Sequence, residues 1–124
     1  MTVAYYNGRE NGVDINSGRG YTRDGLIKPD YAVPGVEVTG AGLNGSFVTR
    51  TGSSVATGIA AGAAALLMEW ILEQPEARGV NSSQIRNIIL LGTDQRAMVE
   101  YPNREWGYGT MNLFQSLDTL RRLK

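Results

Sequence analysis

Short runs of alternating apolar and polar residues fill the first half of the chain, and apolar residues at helical spacing fill the second half. Five β-type runs bounded by Gly, Asn, Asp or Pro predict strands in the first half. They are TVAYY, a short VDI piece, IKPDYAV, PGVEVTG and GSFVTRTG. The Pro34-Gly35 pair predicts a tight turn between the third and fourth runs.

Three helices are predicted in the second half. A long apolar helix runs from about Ser54 to Glu73 and ends at QPEARG. An amphipathic helix follows in NSSQIRNIILLGT, where Asn81 and two serines supply capping groups and Gly92 is placed to end it. The last helix, LFQSLDTLRRLK, carries basic residues in its final turn. Its apolar positions at helical spacing are Leu113, Phe114, Leu117, Leu120 and Leu123.

The long apolar helix has two possible environments. No residue from Thr51 to Met68 is charged, and Gly58 and Gly62 form a GxxxG pair, as in some membrane helices. A membrane span needs about 20 predominantly apolar residues. This stretch is slightly shorter, it is rich in Ala, Gly, Ser and Thr, and Glu69 follows it directly. We therefore expect no membrane partner and a core helix packed on all sides by protein.

The order of elements predicts an α/β fold that is incomplete on its own. A complete α/β domain alternates strands and helices more evenly, and a parallel sheet needs helices on both faces. Here the strands come first and the helices later. We therefore expect residues 1–124 to be the trailing part of one larger domain. An open sheet edge and an uncovered helix would then favour a homo-oligomer or association with the missing N-terminal portion.

Composition excludes several function classes. Lysine plus arginine equals aspartate plus glutamate at 12 each, so no net field favours nucleic acid, and no nucleic-acid partner is expected. Cysteine is absent, which excludes disulfides and thiolate metal sites and leaves the cellular compartment undetermined. Histidine is also absent, so any serine–histidine catalysis must obtain its base from elsewhere. We expect no cofactor, and no acidic cluster indicates a calcium site.

A glycine-rich segment matches a nucleotide-binding pattern only superficially. Gly40, Gly42 and Gly45 follow a predicted strand in GxGxxG spacing. That motif functions when a helix begins at the glycines and directs its N-terminus at a pyrophosphate. Here the β-prone SFVTRTG follows, and no acidic residue stands about 20 residues further on. A glycine-rich loop between strands explains the segment better.

The serine pair at the start of the apolar helix has a structural and a catalytic interpretation. Ser53 or Ser54 could cap the helix through its hydroxyl, which is what serine does at such positions. A nucleophilic serine needs the same surroundings. Its hydroxyl must be exposed, its neighbours small, and a helix N-terminus supplies N–H groups for a forming oxyanion. Gly52 and Ala56 are small enough for either role, so local composition leaves both open.

The wider context resembles the subtilisin-like serine peptidases. That family typically has K-P-D-[IV]-x-A-P-G followed by G-T-S-M-A-x-P-x-x-x-G and an alanine-rich helix. This chain has KPDYAVPG at 28–35 and GSSVATG at 52–58, with Gly62 after it. The tail segments NSSQIRNIILLGT and WGYGTMN are also similar, and SGRGYTRDGLIKPDYAVPGV resembles the clostridial spore-germination proteases. Ser53 replaces the usual threonine, and Gly58 the usual proline.

The resemblance implies a serine endopeptidase with a three-layer fold and a mainly parallel sheet. It assigns the nucleophile to Ser54, whose backbone N–H would be one oxyanion donor, and it implies a peptide or protein substrate. The family's Asp, His and oxyanion-binding Asn match nothing in this chain, so the chain alone is expected to be inactive. The alternative is a non-catalytic binding fragment, a pseudo-protease, in which the serine is only a helix cap.

Overall fold

The computed structural model describes residues 1–75 and 79–123. The described residues form five strands, three α-helices and one 3₁₀ turn at Leu43–Gly45. The strands are β1 (Val3–Asn7), β2 (Gly12–Val13), β3 (Tyr31–Pro34), β4 (Val38–Ala41) and β5 (Phe47–Arg50). The helices are α1 (Ser53–Leu72), α2 (Ser82–Leu91) and α3 (Leu113–Arg122). Each corresponds to a segment that the hydrophobic pattern predicts.

Two small sheets organise the strands. In the first, β1 lies between β2 and β3 and pairs parallel with β3, Ala4 standing opposite Ala32. The pairing of β1 with β2 is antiparallel and short. Residues 107–111 extend the sheet on the far side of β3, because Ala32 donates its N–H to Gly109 O and accepts from Met111 N, both at 2.9 Å. The second sheet is an antiparallel β4–β5 hairpin.

The main core lies between α1 and the β1–β3 pair. Alanine dominates the buried face of α1 near the sheet, which brings the helix backbone close to the strands. The buried residues of this core are Tyr5, Tyr31, Val33, Ala56, Ala60, Leu67, Ile71, Ile85 and Ile89. The last two belong to α2, which contacts both α1 and α3. The core therefore joins all three helices to one sheet.

A buried carboxylate anchors β3 to the rest of the fold. Asp30 is fully buried and accepts hydrogen bonds from Thr2 N at 2.7 Å, Lys28 Nζ at 2.7 Å and Arg86 Nε at 2.7 Å. Its backbone carbonyl accepts from Tyr108 N at 2.9 Å. Burial alone would raise the pKa of Asp30, but the bonds from Lys28, Thr2 and Arg86 outweigh it and the pKa lies below its usual value.

Helices α1 and α2 begin and end close to the positions that the sequence predicts. The physical reason for an end is not always the predicted one. Asn81 caps α2 in a full capping box with Gln84. Gly92 ends α2 as predicted, yet its φ of −98° is not left-handed. A Cβ at Gly92 would lie 2.2 Å from Ser116 Oγ, so close packing of α2 on α3 explains the glycine. The predicted break at QPEARG lies partly outside the described residues, and α1 already ends at Leu72.

Two helix surfaces that carry apolar residues are more exposed in the structure than the sequence pattern indicates. Phe114 has apolar helical spacing but is 78% exposed, whereas Leu113, Leu117 and Leu120 pack against the core. On α1, one face is buried and the opposite face is uncovered, with Leu66 56% and Leu72 69% exposed. The prediction that protein covers α1 on all sides is therefore not met within the described residues.

The length and apolar composition of α1 would also suffice for a membrane span. Its mean hydropathy reaches 1.7, and it is the one helix among the described residues with this property. Core helices of soluble proteins have the same property, and α1 packs one face against a sheet. The expectation of no membrane partner stays a prediction.

Candidate active site

The start of α1 follows β5 through a backbone conformation that requires glycine. Gly52 occupies the N-cap position with φ 147° and ψ 171°, a region open essentially to glycine alone. Ala56 N donates the first intrahelical hydrogen bond to Gly52 O at 3.3 Å. The chain therefore turns sharply from the end of β5 into the first turn of α1.

Two hydrogen bonds hold this turn against the segment that follows β3. Gly52 N donates to Gly35 O at 2.8 Å, and Glu37 N donates to Thr51 Oγ1 at 2.8 Å. Gly35 in turn donates its N–H to Tyr6 O at 3.1 Å. The helix start is thus tied to the carboxyl ends of β1 and β3, which are the two parallel strands of the sheet.

Both serines lie inside the helix rather than at its cap. Ser53 is the first helical residue and Ser54 the second, and both are exposed. Within residues 1–75 and 79–123, neither hydroxyl makes a hydrogen bond. The capping interpretation of the serine pair is therefore wrong for this structure, because Gly52 is the N-cap residue and no side chain caps α1. The Ser54 hydroxyl is free to face a ligand.

The first turn of α1 provides favourable electrostatics for a developing negative charge. The amides of Ser53, Ser54 and Val55 precede the first intrahelical bond, so they belong to the donors that a helix leaves unsatisfied at its N-terminus. The macrodipole of a 20-residue helix adds positive potential at the same place. The arrangement places a hydroxyl beside backbone N–H donors at the start of α1, and the sequence contains no histidine.

The glycine-rich segment forms the tip of the β4–β5 hairpin. Gly40 pairs with Val48, and the 3₁₀ turn at Leu43–Gly45 connects the two strands. Strand β5 follows these glycines, so the helix that a dinucleotide site requires does not begin there. Among the described residues, no group of three or more His, Cys, Asp and Glu is placed to hold a metal ion.

This fold, with a serine in the first turn of a helix next to a parallel strand pair, is that of a subtilase. The subtilase family of peptidases, S8, matches residues 1–109, and the chain belongs to this family. The predicted α/β class and subtilisin-like architecture are thereby confirmed. None of the curated protein sequences matches the chain significantly.

Solved structures of similar proteins agree with this assignment. The CspB protease of Clostridium perfringens is 30% identical with a TM-score of 0.89, over 96% of this chain and 26% of that one. The prenylagaramide maturation protease PagA is 22% identical with a TM-score of 0.71, over 97% of this chain and 42% of that one. The patellamide maturation protease PatG is 23% identical with a TM-score of 0.72, over 95% and 35%. The chain therefore spans about a quarter to two fifths of these proteins.

The sequence patterns point to Ser54 as a candidate but do not show the long-range contacts of the fold around it. The sequence shows the KPD segment only as a pattern, whereas in the structure the buried Asp30 carboxylate forms one ion pair with Lys28 and another with Arg86 of α2. No local signal links Arg86 to Asp30, which lies 56 residues earlier. No sequence pattern predicts the hydrogen bond between Gly35 and Gly52. Two glycines at the ends of adjacent elements are only a weak indication that their backbones approach closely.

Proposed function

We propose that residues 1–124 are the C-terminal portion of the catalytic domain of a serine endopeptidase in which Ser54 is the nucleophile. One observation carries the proposal: the exposed, unbonded Ser54 hydroxyl in the first turn of α1, directly after a glycine-only turn. The same observation disfavours the non-catalytic alternative, in which the serine serves as a cap, because Gly52 already occupies the cap.

In the proposed reaction, this chain supplies the nucleophile and oxyanion donors, and the rest of the domain supplies the base. Ser54 Oγ attacks the peptide carbonyl carbon, and a histidine from outside these 124 residues accepts its proton. The carbonyl oxygen becomes an oxyanion, which the Ser54 N–H and the positive end of α1 stabilise. The histidine then returns the proton to the leaving amine, which departs and leaves an acyl group on Ser54. Water attacks this acyl group in a second step of the same kind and releases it as a carboxylic acid.

The partner of this chain in that reaction is the remaining part of a subtilase domain. Two observations support this. The uncovered face of α1 carries exposed Leu66, Met68 and Leu72 next to small residues, so it can accept a closely packed neighbour. The similar CspB protease has about three quarters of its chain outside the matched region. The substrate is a peptide or protein, and the likeness to CspB supports membership of the clostridial spore-germination branch.

A segment exchange tests the nucleophile assignment. The matched quarter of the C. perfringens CspB protease is replaced by this chain, and the purified protein is treated with a fluorophosphonate that labels activated serines. We expect labelling that Ser54→Ala abolishes and that Ser53→Ala, the matched neighbour, retains. Labelling that survives Ser54→Ala contradicts the assignment, as does a folded hybrid that is never labelled while authentic CspB is labelled.

A thiol probe tests the electrostatics on the chain as it exists. The sequence has no cysteine, so Ser54→Cys introduces a single thiol that can be titrated by its alkylation rate. A helix N-terminus lowers a thiol pKa below its ordinary value of about 8.5. The exposed Leu72→Cys, at the opposite end of α1, supplies the comparison. Equal pKa values at the two positions would contradict a functional helix N-terminus at Ser54.

A further inference from the structure

The chain contains three Asn-Gly pairs, at 7–8, 11–12 and 44–45. In such a pair the glycine has no side chain to hinder its own amide nitrogen, which can reach the carboxamide carbon of the preceding asparagine. From the sequence alone, the three pairs are equally able to undergo this attack. The structure places them in different environments, and this difference decides which pair can react.

The pair at the hairpin tip is unrestrained. Asn44 lies in the 3₁₀ turn with φ 55° and ψ 38°, and it is exposed together with Leu43 and Gly45. In the part of the chain that the structure describes, no hydrogen bond reaches its side chain. A Cβ at Gly45 would meet nothing within 4 Å. The bonds that close the turn join Ser46 to Leu43 and Gly42 and do not involve the Asn44 side chain.

The other two pairs are held in place. The Asn7 side-chain oxygen accepts from Arg9 N at 3.0 Å and Glu10 N at 3.4 Å, so its carboxamide is fixed away from Gly8. Asn11 donates its N–H to Asn7 O at 2.8 Å. Its following residue, Gly12, pairs with Asn7 in the β1–β2 ladder, which restricts the attacking nitrogen.

We propose that Asn44 is a site of spontaneous deamidation. The Gly45 amide nitrogen loses its proton to solvent base and attacks the Asn44 side-chain carbon. A carbon–nitrogen bond forms, the side-chain carbon–nitrogen bond breaks, and ammonia leaves with a proton from solvent. Water then opens the cyclic imide at either carbonyl, giving aspartate or the β-linked isoaspartate. No oxidant, enzyme or cofactor takes part.

The product differs from the parent in charge and shape at one end of the hairpin. The chain has a formal net charge of zero, so each conversion gives a species of charge −1 that ion exchange separates. Isoaspartate adds one backbone atom to the turn between β4 and β5. Because β5 leads through Thr51 directly into α1, the modification alters the strand that precedes Ser54. The site itself does not depend on the function proposed above.

Peptide mapping by mass spectrometry tests the proposal on the full chain. The protein is incubated at mildly alkaline pH in water enriched in ¹⁸O, which marks only conversions during the incubation. A parallel sample is fully unfolded in urea, where the three pairs lose their different environments. We expect Asn44 to convert several-fold faster than Asn7 and Asn11 in the folded chain, and the three rates to become similar in urea.

Because the three Asn-Gly pairs are compared within the same chain, each outcome either supports or overturns the proposal. Faster conversion at Asn7 or Asn11 in the folded chain, equal rates at all three, or no conversion at Asn44 while the unfolded chain reacts would each overturn the proposal. Asn44→Gln serves as the matched variant, since it keeps an amide but removes the five-membered ring geometry. It should form the −1 species several-fold more slowly than the wild type, and an unchanged rate of formation would also overturn the assignment to Asn44.

Discussion

Gly35 and Gly52 are in direct contact across the junction between β3 and α1. The Gly52 amide donates to the Gly35 carbonyl at 2.8 Å, and a Cβ at Gly35 would lie 3.0 Å from the Gly52 carbonyl oxygen. The same Cβ would lie 2.7 Å from Tyr5 Cβ and 3.2 Å from Ala56 Cβ. The absence of a side chain at position 35 therefore lets β1, β3 and the start of α1 meet at one point.

The first prediction concerns this contact. Gly35→Ala should lower the free energy of unfolding by about 1–3 kcal/mol, the usual cost of inserting a methyl group into a packed region. Urea denaturation followed by circular dichroism measures the change. Gly58→Ala is the matched control. Gly58 lies inside α1 with nothing within 4 Å of its Cβ position, so alanine should stabilise the helix by about 0.5–1 kcal/mol. Equal effects of the two substitutions would contradict the close contact.

The second prediction concerns the buried Asp30. Its pKa in the folded chain is lower than the unfolded value of about 3.9. The stabilisation it provides is therefore fully present above about pH 4 and is lost as pH falls through the folded pKa. Asp30→Asn removes this contribution at neutral pH. We expect the free energy of unfolding of the wild type to fall more steeply below about pH 4 than that of the variant.

The size of the Asp30 effect follows from its partners. Breaking a fully buried ion pair costs about 3–5 kcal/mol. The lower end is expected here, because the Lys28 and Arg86 side chains remain 29% and 30% exposed. Glu105→Gln breaks the exposed pair with Arg19 and should change stability by less than about 1 kcal/mol. If the two variants have the same pH profile, Asp30 is not the anchor that its contacts indicate.

The sequence predicted the elements well and their packing less well. Periodicity located β1 and all three helices, because local backbone preferences and apolar spacing determine those features. The turn predicted at Pro34-Gly35 is displaced, since Pro34 ends β3 and the chain bends at Val36 and Glu37. Family resemblance assigns the nucleophile to Ser54, since spacing alone does not separate such a serine from a capping serine, and this assignment stays a prediction. Long-range contacts were beyond local patterns. The buried Asp30–Arg86 pair and the exposure of Phe114 depend on how elements far apart in sequence come together.

The third prediction is that the purified chain does not hydrolyse peptides. It contains no histidine, and loss of the catalytic histidine alone lowers kcat by about 10⁶-fold in subtilisin, a member of the same family. A chromogenic peptide ester provides the most sensitive measurement. Ser54→Ala and Ser53→Ala are compared with the wild type, and all three should give the background rate. Turnover that only Ser54→Ala abolishes would show that a base exists within these 124 residues.

The last prediction is that the isolated chain self-associates through the uncovered face of α1. Leu66, Met68 and Leu72 are 56%, 48% and 69% exposed, and they line one open surface with Gly62, Ala65, Glu69 and Glu73. Exposed apolar side chains that share a surface favour association. Sedimentation velocity at micromolar concentration should therefore show species larger than a monomer. The double substitution Leu66→Lys with Leu72→Lys places charge on the patch and should shift the chain toward monomer. Ile15→Lys changes an apolar residue away from α1 that is even more exposed, at 83%, and it should not shift the chain toward monomer. A wild-type chain that sediments as a compact monomer, or one that Ile15→Lys dissociates as well as the double variant does, would contradict an interface on this face.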